Sequence, residues 1–255
     1  MAKQDRYIGV FDSGVGGISV LRQLRKVLPN ERYLYFGDSA NAPYGTRPAE
    51  EIRALTLAAV EKLAKQDIKA LVIGCNTATS AALEAVQQTY PDLIVVGIEP
   101  ALAVAARQFP GGHVGVMATP ATLKGNLFQA RKSQYDSLCT ITPLPAPGLM
   151  ELVEAGKADS PEADALLHAL LDPYASVLDG LVLGCTHYPF TENSIRRVLG
   201  ENIPLFDGAV ITAQVTKEAL AARDLLREGP GEVHFQNSLP GETMLTLSRQ
   251  LAGLQ

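Results

Sequence analysis

Short apolar runs rich in β-branched and aromatic residues recur along the chain, separated by longer stretches in which apolar residues return every third or fourth position. The short runs predict strands at Tyr7 to Phe11, Tyr33 to Phe36, Ala70 to Gly74, Ile94 to Val96, Val114 to Met117, Leu181 to Gly184 and Pro204 to Phe206. Between them, Ile18, Leu21, Leu24, Val27 and Leu28 share one helix face, as do Leu55, Ala58, Ala59 and Leu63. Strands that alternate with amphipathic helices make βαβ units, so the pattern predicts an α/β fold with mainly parallel sheets. Asn41-Ala42-Pro43, Pro110-Gly111-Gly112 and Gly229-Pro230-Gly231 mark loops.

The pattern also repeats. Tyr7-Ile8-Gly9-Val10-Phe11-Asp12-Ser13 is similar to His113-Val114-Gly115-Val116-Met117-Ala118-Thr119, 106 residues on. Val72-Ile73-Gly74-Cys75-Asn76-Thr77 is similar to Val182-Leu183-Gly184-Cys185-Thr186-His187, 110 residues on. Nearly equal offsets in the same order predict two similar α/β domains, each with a first strand ending in a hydroxyl residue and a later one ending in Gly-Cys. In open parallel sheets, ligands gather at the carboxyl ends of the strands, where both cysteines fall. If the domains are related by pseudo-twofold symmetry, Cys75 and Cys185 approach one interdomain cleft from opposite sides, and the active site is expected there.

Composition removes several alternatives. The 255 residues are 47% hydrophobic and 19% charged, an ordinary globular balance. With 27 acidic against 22 basic side chains the net charge is -5, and no basic cluster offers a face for nucleic acid. No apolar run reaches the length of a membrane span, and the segment from Met1 to Arg6 lacks the apolar stretch of a secretory signal, so a cytoplasmic protein is expected. Three cysteines are too few and too odd in number for a disulfide framework, which predicts reduced thiols.

A free cysteine is most often a small core hydrophobe, and Cys139, in the strand-like run Leu138-Cys139-Thr140-Ile141, receives that reading. Cys75 and Cys185 differ from it, since each follows a glycine and precedes polar residues. A disulfide oxidoreductase would place its pair as Cys-x-x-Cys, which does not occur, and His187 beside Cys185 lacks the usual zinc spacing. Proton transfer at a carbon acid fits better: one thiolate removes a proton while an opposing thiol delivers another to the far face. The turn Asp12-Ser13-Gly14-Val15-Gly16-Gly17 matches a dinucleotide fingerprint only in part, because Ser19 stands at the third glycine position. The glycines more simply form a tight strand-to-helix turn whose amides can meet a carboxylate, with Asp12 as an orienting group, a general base or a plain helix cap.

Five blocks together resemble the glutamate racemase family: Gly9 through Gly17, Gly37-Asp38-Ser39-Ala40, Pro43-Tyr44-Gly45-Thr46, Gly74-Cys75-Asn76-Thr77-Ala78 and Gly184-Cys185-Thr186-His187-Tyr188-Pro189. The resemblance runs through nearly the whole chain in order. It implies interconversion of L- and D-glutamate without a cofactor, supplying D-glutamate for peptidoglycan; composition alone leaves pyridoxal phosphate open. It implies that Cys75 and Cys185 are the acid/base pair, Asp12 supporting the first and His187 the second. It also implies that Ser13, Tyr44, Gly45, Asn76, Thr77, Thr119 and Thr186, with Asp12 and His187, hold the substrate, and that Glu154 lies by the catalytic groups. Glu151 stands where the family has a proline, and Gly125 and Phe128 where serine and tyrosine are usual.

The expected domains are residues 1–99 with 209–255, carrying Cys75, and residues 100–208, carrying Cys185. His113, His168 and His234 are read as structural or surface residues. No metal, nucleic-acid or membrane partner is expected. A homodimer is expected, and contact with DNA gyrase is left open, with no sign of it in residues 1–6. Two competing readings are a racemase of another acidic amino acid, such as aspartate, and a non-catalytic ligand-binding module.

Overall fold

The structure is a computed structural model that describes residues 2–254. Met1, which opens the segment read for a signal, and Gln255 lie outside the described residues. Two compact units divide at Glu99/Pro100 and Gly208/Ala209, the chain returning to the first unit for its carboxy-terminal segment.

The first unit contains β1 (Tyr7–Asp12), α1 (Ile18–Val27), β2 (Arg32–Gly37), α2 (Ala49–Ala64), β3 (Ile68–Ile73), α3 (Asn76–Thr89) and β4 (Ile94–Gly97). The second contains α4 (Leu102–Gln108), β5 (His113–Ala118), α5 (Pro120–Lys124), α6 (Asn126–Tyr135), β6 (Thr140–Pro145), α7 (Leu149–Glu154), α8 (Pro161–Leu171), β7 (Gly180–Gly184), α9 (Glu192–Leu199) and β8 (Leu205–Phe206). The returning segment adds α10 (Ala209–Ala221), β9 (Glu232–Asn237) and α11 (Thr243–Ala252) to the first unit.

Every strand pair is parallel. The first sheet runs β4-β3-β1-β2-β9 and the second β6-β5-β7-β8. Taking β1 with β5 and β3 with β7, as the sequence repeat does, β2 matches β6 and β4 matches β8, so the two sheets share one four-strand order. The first unit has β9 in addition, on the free side of β2.

Burial follows from this topology. A central strand covered by helices on both faces reads as a continuous apolar run, and all six residues of β3 are buried. One of them, Lys69, is charged. In the second unit, Val114, Val116, Ala118 and Val182 pack into one apolar cluster, while Met117, Leu181 and Leu183 pack into another with Leu144, Leu149 and Leu167. Cys139 is buried in the first of these clusters, just ahead of β6, and burial pushes its thiol pKa up. The strand expected around Leu138 to Ile141 begins instead at Thr140 and includes Pro143 and Pro145. Proline lacks a ladder N–H, and β6 accepts two because it is an edge strand.

Candidate active site

In the first unit, β1, β2 and β3 end side by side and deliver Asp12, Asp38 and Cys75 to one edge of the sheet. Asp12 is fully buried, and its Oδ1 accepts a hydrogen bond from Gly14 N at 2.9 Å. The chain then turns into α1 through Gly14 to Gly17. Gly17 has helical φ and ψ that alanine adopts freely, yet an added Cβ would lie 2.7 Å from Asp12 Cβ. The glycine is therefore required by contact, not by backbone conformation. Gly17→Ala is expected to displace Asp12 and to cost roughly 1–3 kcal/mol, as overpacking usually does. Urea unfolding checks this, and a variant as stable as the parent would show that the turn yields freely.

Cys75 is 5% exposed and forms the N-cap of α3, its Sγ accepting from Ala78 N at 3.4 Å. Ser13 Oγ lies 3.4 Å from the same sulfur. A helix N-terminus and a hydroxyl both favour negative charge on sulfur, so this pocket suits a thiolate. Asn76 and Thr77 follow in the first turn of α3, and the buried Asn76 Oδ1 has no hydrogen-bond partner among the described residues.

Tyr44 and Gly45 are buried on the loop after β2. The Tyr44 hydroxyl donates to Asp38 Oδ2 at 2.7 Å, and Asn41 Nδ2 reaches both Asp38 oxygens at 3.0 and 3.1 Å. Burial raises the Tyr44 pKa well above that of an ordinary phenol, helped by the bond to Asp38 and by the negative charges of Cys75 and Asp12. Tyr44 therefore stays a neutral donor. Asp38 was not among the expected site residues, although the block Gly37-Asp38-Ser39-Ala40 contained it.

In the second unit, Cys185 follows β7 and is 7% exposed. His187 Nδ1 lies 3.6 Å from its sulfur, and His187 Nε2 is 2.9 Å from Glu154 Oε1 at the end of α7. A carboxylate only accepts, so the Nε2 proton points to Glu154 and Nδ1 faces the thiol. Sulfur, imidazole and carboxylate form a relay fixed from both sides. Thr186 is buried beside it, and Thr119 caps α5, accepting from Thr122 N at 3.2 Å.

Tyr188, fully buried with its hydroxyl donating to Ala146 O at 3.1 Å, was also absent from the expected set. Burial, then the charges of Cys185 and Glu151, raise its pKa well above that of a free phenol. Of the family departures, Glu151 lies exposed in the first turn of α7, Gly125 joins α5 to α6, and Phe128 packs into an apolar cluster of the second unit. His113 bonds Thr142, His168 bonds Asp172, and His234 sits on β9 over the Tyr7 ring.

Residues 8–216 match the sequence pattern of the Asp/Glu/Hydantoin racemase family. The chain is 41% identical over 254 residues to a glutamate racemase of Clostridium botulinum, covering 98% of both. Its fold is similar to the crystal structure of glutamate racemase isoform RacE1 from Bacillus anthracis, with a TM-score of 0.89 at 30% identity over 99% of this chain and 96% of that one. It is also similar to Escherichia coli glutamate racemase in complex with L-glutamate and the activator UDP-MurNAc-Ala, with a TM-score of 0.85 at 30% identity, covering 96% and 95% of the two chains. With the five sequence blocks and the paired Gly-Cys strand ends, these matches place the chain in the Asp/Glu/Hydantoin racemase family.

Proposed function

We propose that this protein interconverts L- and D-glutamate by two-base proton transfer between Cys75 and Cys185, supplying D-glutamate for peptidoglycan. The observation that carries the reading is that each cysteine follows a corresponding strand of its unit and meets polar partners there, Ser13 and the Ala78 amide for Cys75 and His187 for Cys185. One thiolate takes the α-proton of the substrate, leaving its electron pair on the α-carbon, and the opposing thiol gives its proton to the other face. After one turnover the protonation states of the two sulfurs have exchanged, and the reverse reaction starts from there. No redox change occurs.

Asp12 orients the Cys75 side, and the His187–Glu154 pair supports Cys185. Ser13, Tyr44, Gly45, Asn76, Thr77, Thr119 and Thr186 bind the substrate. These are neutral groups, which hold carboxylates and an ammonium without introducing a charge that would compete with the developing carbanion. The unpartnered Asn76 Oδ1 is an acceptor suited to the substrate ammonium. Glutamate, not aspartate, is the proposed substrate because the full-length relatives are named glutamate racemases. The reaction needs reduced thiols, and among the described residues no disulfide joins the cysteines, which favours a reducing compartment such as the cytoplasm. Among the described residues no helix is long and apolar enough to cross a membrane. A homodimer is part of the same reading.

Incubation with L-glutamate in deuterium oxide, with no added cofactor, is expected to abolish optical rotation while deuterium enters the α-carbon. L-aspartate under the same conditions is expected to keep its rotation. Unchanged rotation with both would remove the racemase reading, and loss with aspartate alone would reassign the substrate.

A further inference from the structure

The loop that carries Tyr44 and Gly45 contains only one short helical turn, Ser39–Asn41, between β2 and α2. Its internal braces are the Asp38 contacts with Asn41 and Tyr44, and Arg47 Nε, which donates to Asn41 O and Pro43 O at 3.1 and 3.2 Å. Those hydrogen bonds give the loop a shape but do not reach the sheet, to which the buried Tyr44 ring is held by packing on Phe11 of β1, with centroids 6.4 Å apart. Asp38 N bonds Asp12 O at 2.9 Å at its root. The next hydrogen-bond anchors come from the carboxy-terminal segment.

β9 pairs with β2 along its whole length, with Asn237 opposite Gly37. Ser238 N donates to Gly37 O at 2.9 Å and carries the pairing one residue past the strand. Asn237 Nδ2 donates to Ser39 Oγ at 2.9 Å, and Ala40 N donates to Ser238 Oγ at 2.9 Å. The Asn237 amide is oriented from the other side, since its Oδ1 accepts from Leu239 N at 2.8 Å. A Cβ on Gly37 would come within 2.9 Å of Asn237 Nδ2 and 2.5 Å of Gly14 O, so only glycine leaves room for the amide. Asn237, the last residue of β9, and Ser238 just beyond it thus tie the helical turn to the sheet.

We propose that Asn237 and Ser238 are positioning residues that hold the Tyr44 loop in its substrate-binding geometry, making the carboxy-terminal strand part of the glutamate site. The proposal rests on the reading of Tyr44 and Gly45 as substrate contacts. On that reading Tyr44 and Gly45 contact the substrate away from the reacting α-carbon, so loosening them weakens substrate and transition-state binding alike and acts on KM, leaving kcat in place.

In the protein with Ser238→Ala and Asn237→Ala together, KM for L-glutamate is expected to rise about tenfold, as loss of two ordinary hydrogen bonds allows, with kcat changed less than about twofold. Ser238→Thr, which keeps the hydroxyl, is expected to retain the parent KM. Ser238→Ala alone is expected to speed hydrogen exchange at the Ala40 amide while amides of β1 and β3 keep their protection. A double variant with KM within twofold of the parent, or with kcat falling at constant KM, would overturn the proposal, as would an unchanged Ala40 amide. Absence of turnover in the parent would instead overturn the racemase reading, and the exchange measurement would still decide whether β9 holds the loop.

Discussion

Cys75→Ser is expected to lower kcat/KM for glutamate by about 10³-fold or more in both directions, the upper part of the range for losing a positioned acid or base. An ordinary thiol has a pKa near 8.5, so a useful fraction is thiolate at neutral pH, and the α3 N-terminus and Ser13 favour that form here. A serine hydroxyl in the same place has no accessible anion near pH 7. The loss appears in both directions because, in the proposed mechanism, each turnover uses Cys75 once, as base for one enantiomer and as acid for the other. It amounts to about 4 kcal/mol of transition-state stabilisation. Substrate affinity by calorimetry should stay within a few-fold of the parent, because the proposed binding groups are untouched and serine also caps helices well. Retention of more than a tenth of the parent activity would show that Cys75 is not an obligatory base. An unaltered affinity without any turnover in the parent would favour a ligand-binding module.

The parts of this molecule that were legible in the sequence share a physical cause. β1, β3, β5 and β7 are central strands buried on both faces, so their sequences are short unbroken apolar runs, and each ends at or within two residues of an expected site residue, Asp12, Cys75, Thr119 and Cys185. The edge strand β9, Glu232–Asn237, was not. Val233 and Phe235 are half-buried while Glu232 and His234 are exposed, a weak alternation that polar loop sequence imitates. Its place beside β2 depends on pairing across about 200 residues, which no local pattern encodes. The Cys-His-Glu relay was half legible. Cys185 and His187 are near neighbours in sequence, but Glu154 was placed only by family resemblance, and its hydrogen bond to His187 follows from where α7 packs. Asp38 and Tyr188 were missed as site residues for a related reason. Asp38 is tied to the expected set only through its bond to Tyr44, and Tyr188 only through its burial three residues past Cys185, and sequence spacing shows neither.

Lys69→Met is expected to destabilise the protein by about 3–5 kcal/mol, the usual cost of removing one partner of a buried ion pair. Lys69 and Glu31 are each about 1% exposed at the side chain, with Nζ 2.5 Å from Glu31 Oε2. The ammonium also donates to Gln4 O at 2.6 Å and Leu225 O at 2.8 Å, while Glu31 Oε1 accepts from Arg227 N at 3.0 Å. One polar knot therefore joins the starts of β2 and β3 to the amino-terminal turn and to the link between α10 and β9. Methionine fills much the same volume as the lysine stem, so little packing is lost. What changes is that the Glu31 carboxylate stays buried beside a thioether. Burial pulls the Lys69 pKa down, with Glu31 opposing, which means that desolvation of the ammonium outweighs its attraction to the carboxylate. Buried ion pairs in general add little net stability, because desolvation offsets their attraction, so the penalty in the single variant comes from the stranded charge. Glu31→Gln combined with Lys69→Met should accordingly recover most of the loss, giving a coupling energy of several kcal/mol in a double-mutant cycle read from urea midpoints. A single variant within 1 kcal/mol of the parent would mean that water reaches Glu31. A double variant as unstable as the single would mean that Lys69 matters for the backbone carbonyls it gathers, and that its charge pairing is incidental. Because β3 leads from Lys69 directly to Gly74 and Cys75, slack at this knot should also reach the Cys75 sulfur: Lys69→Met is expected to lose activity at temperatures well below its unfolding transition, whereas the double variant keeps it.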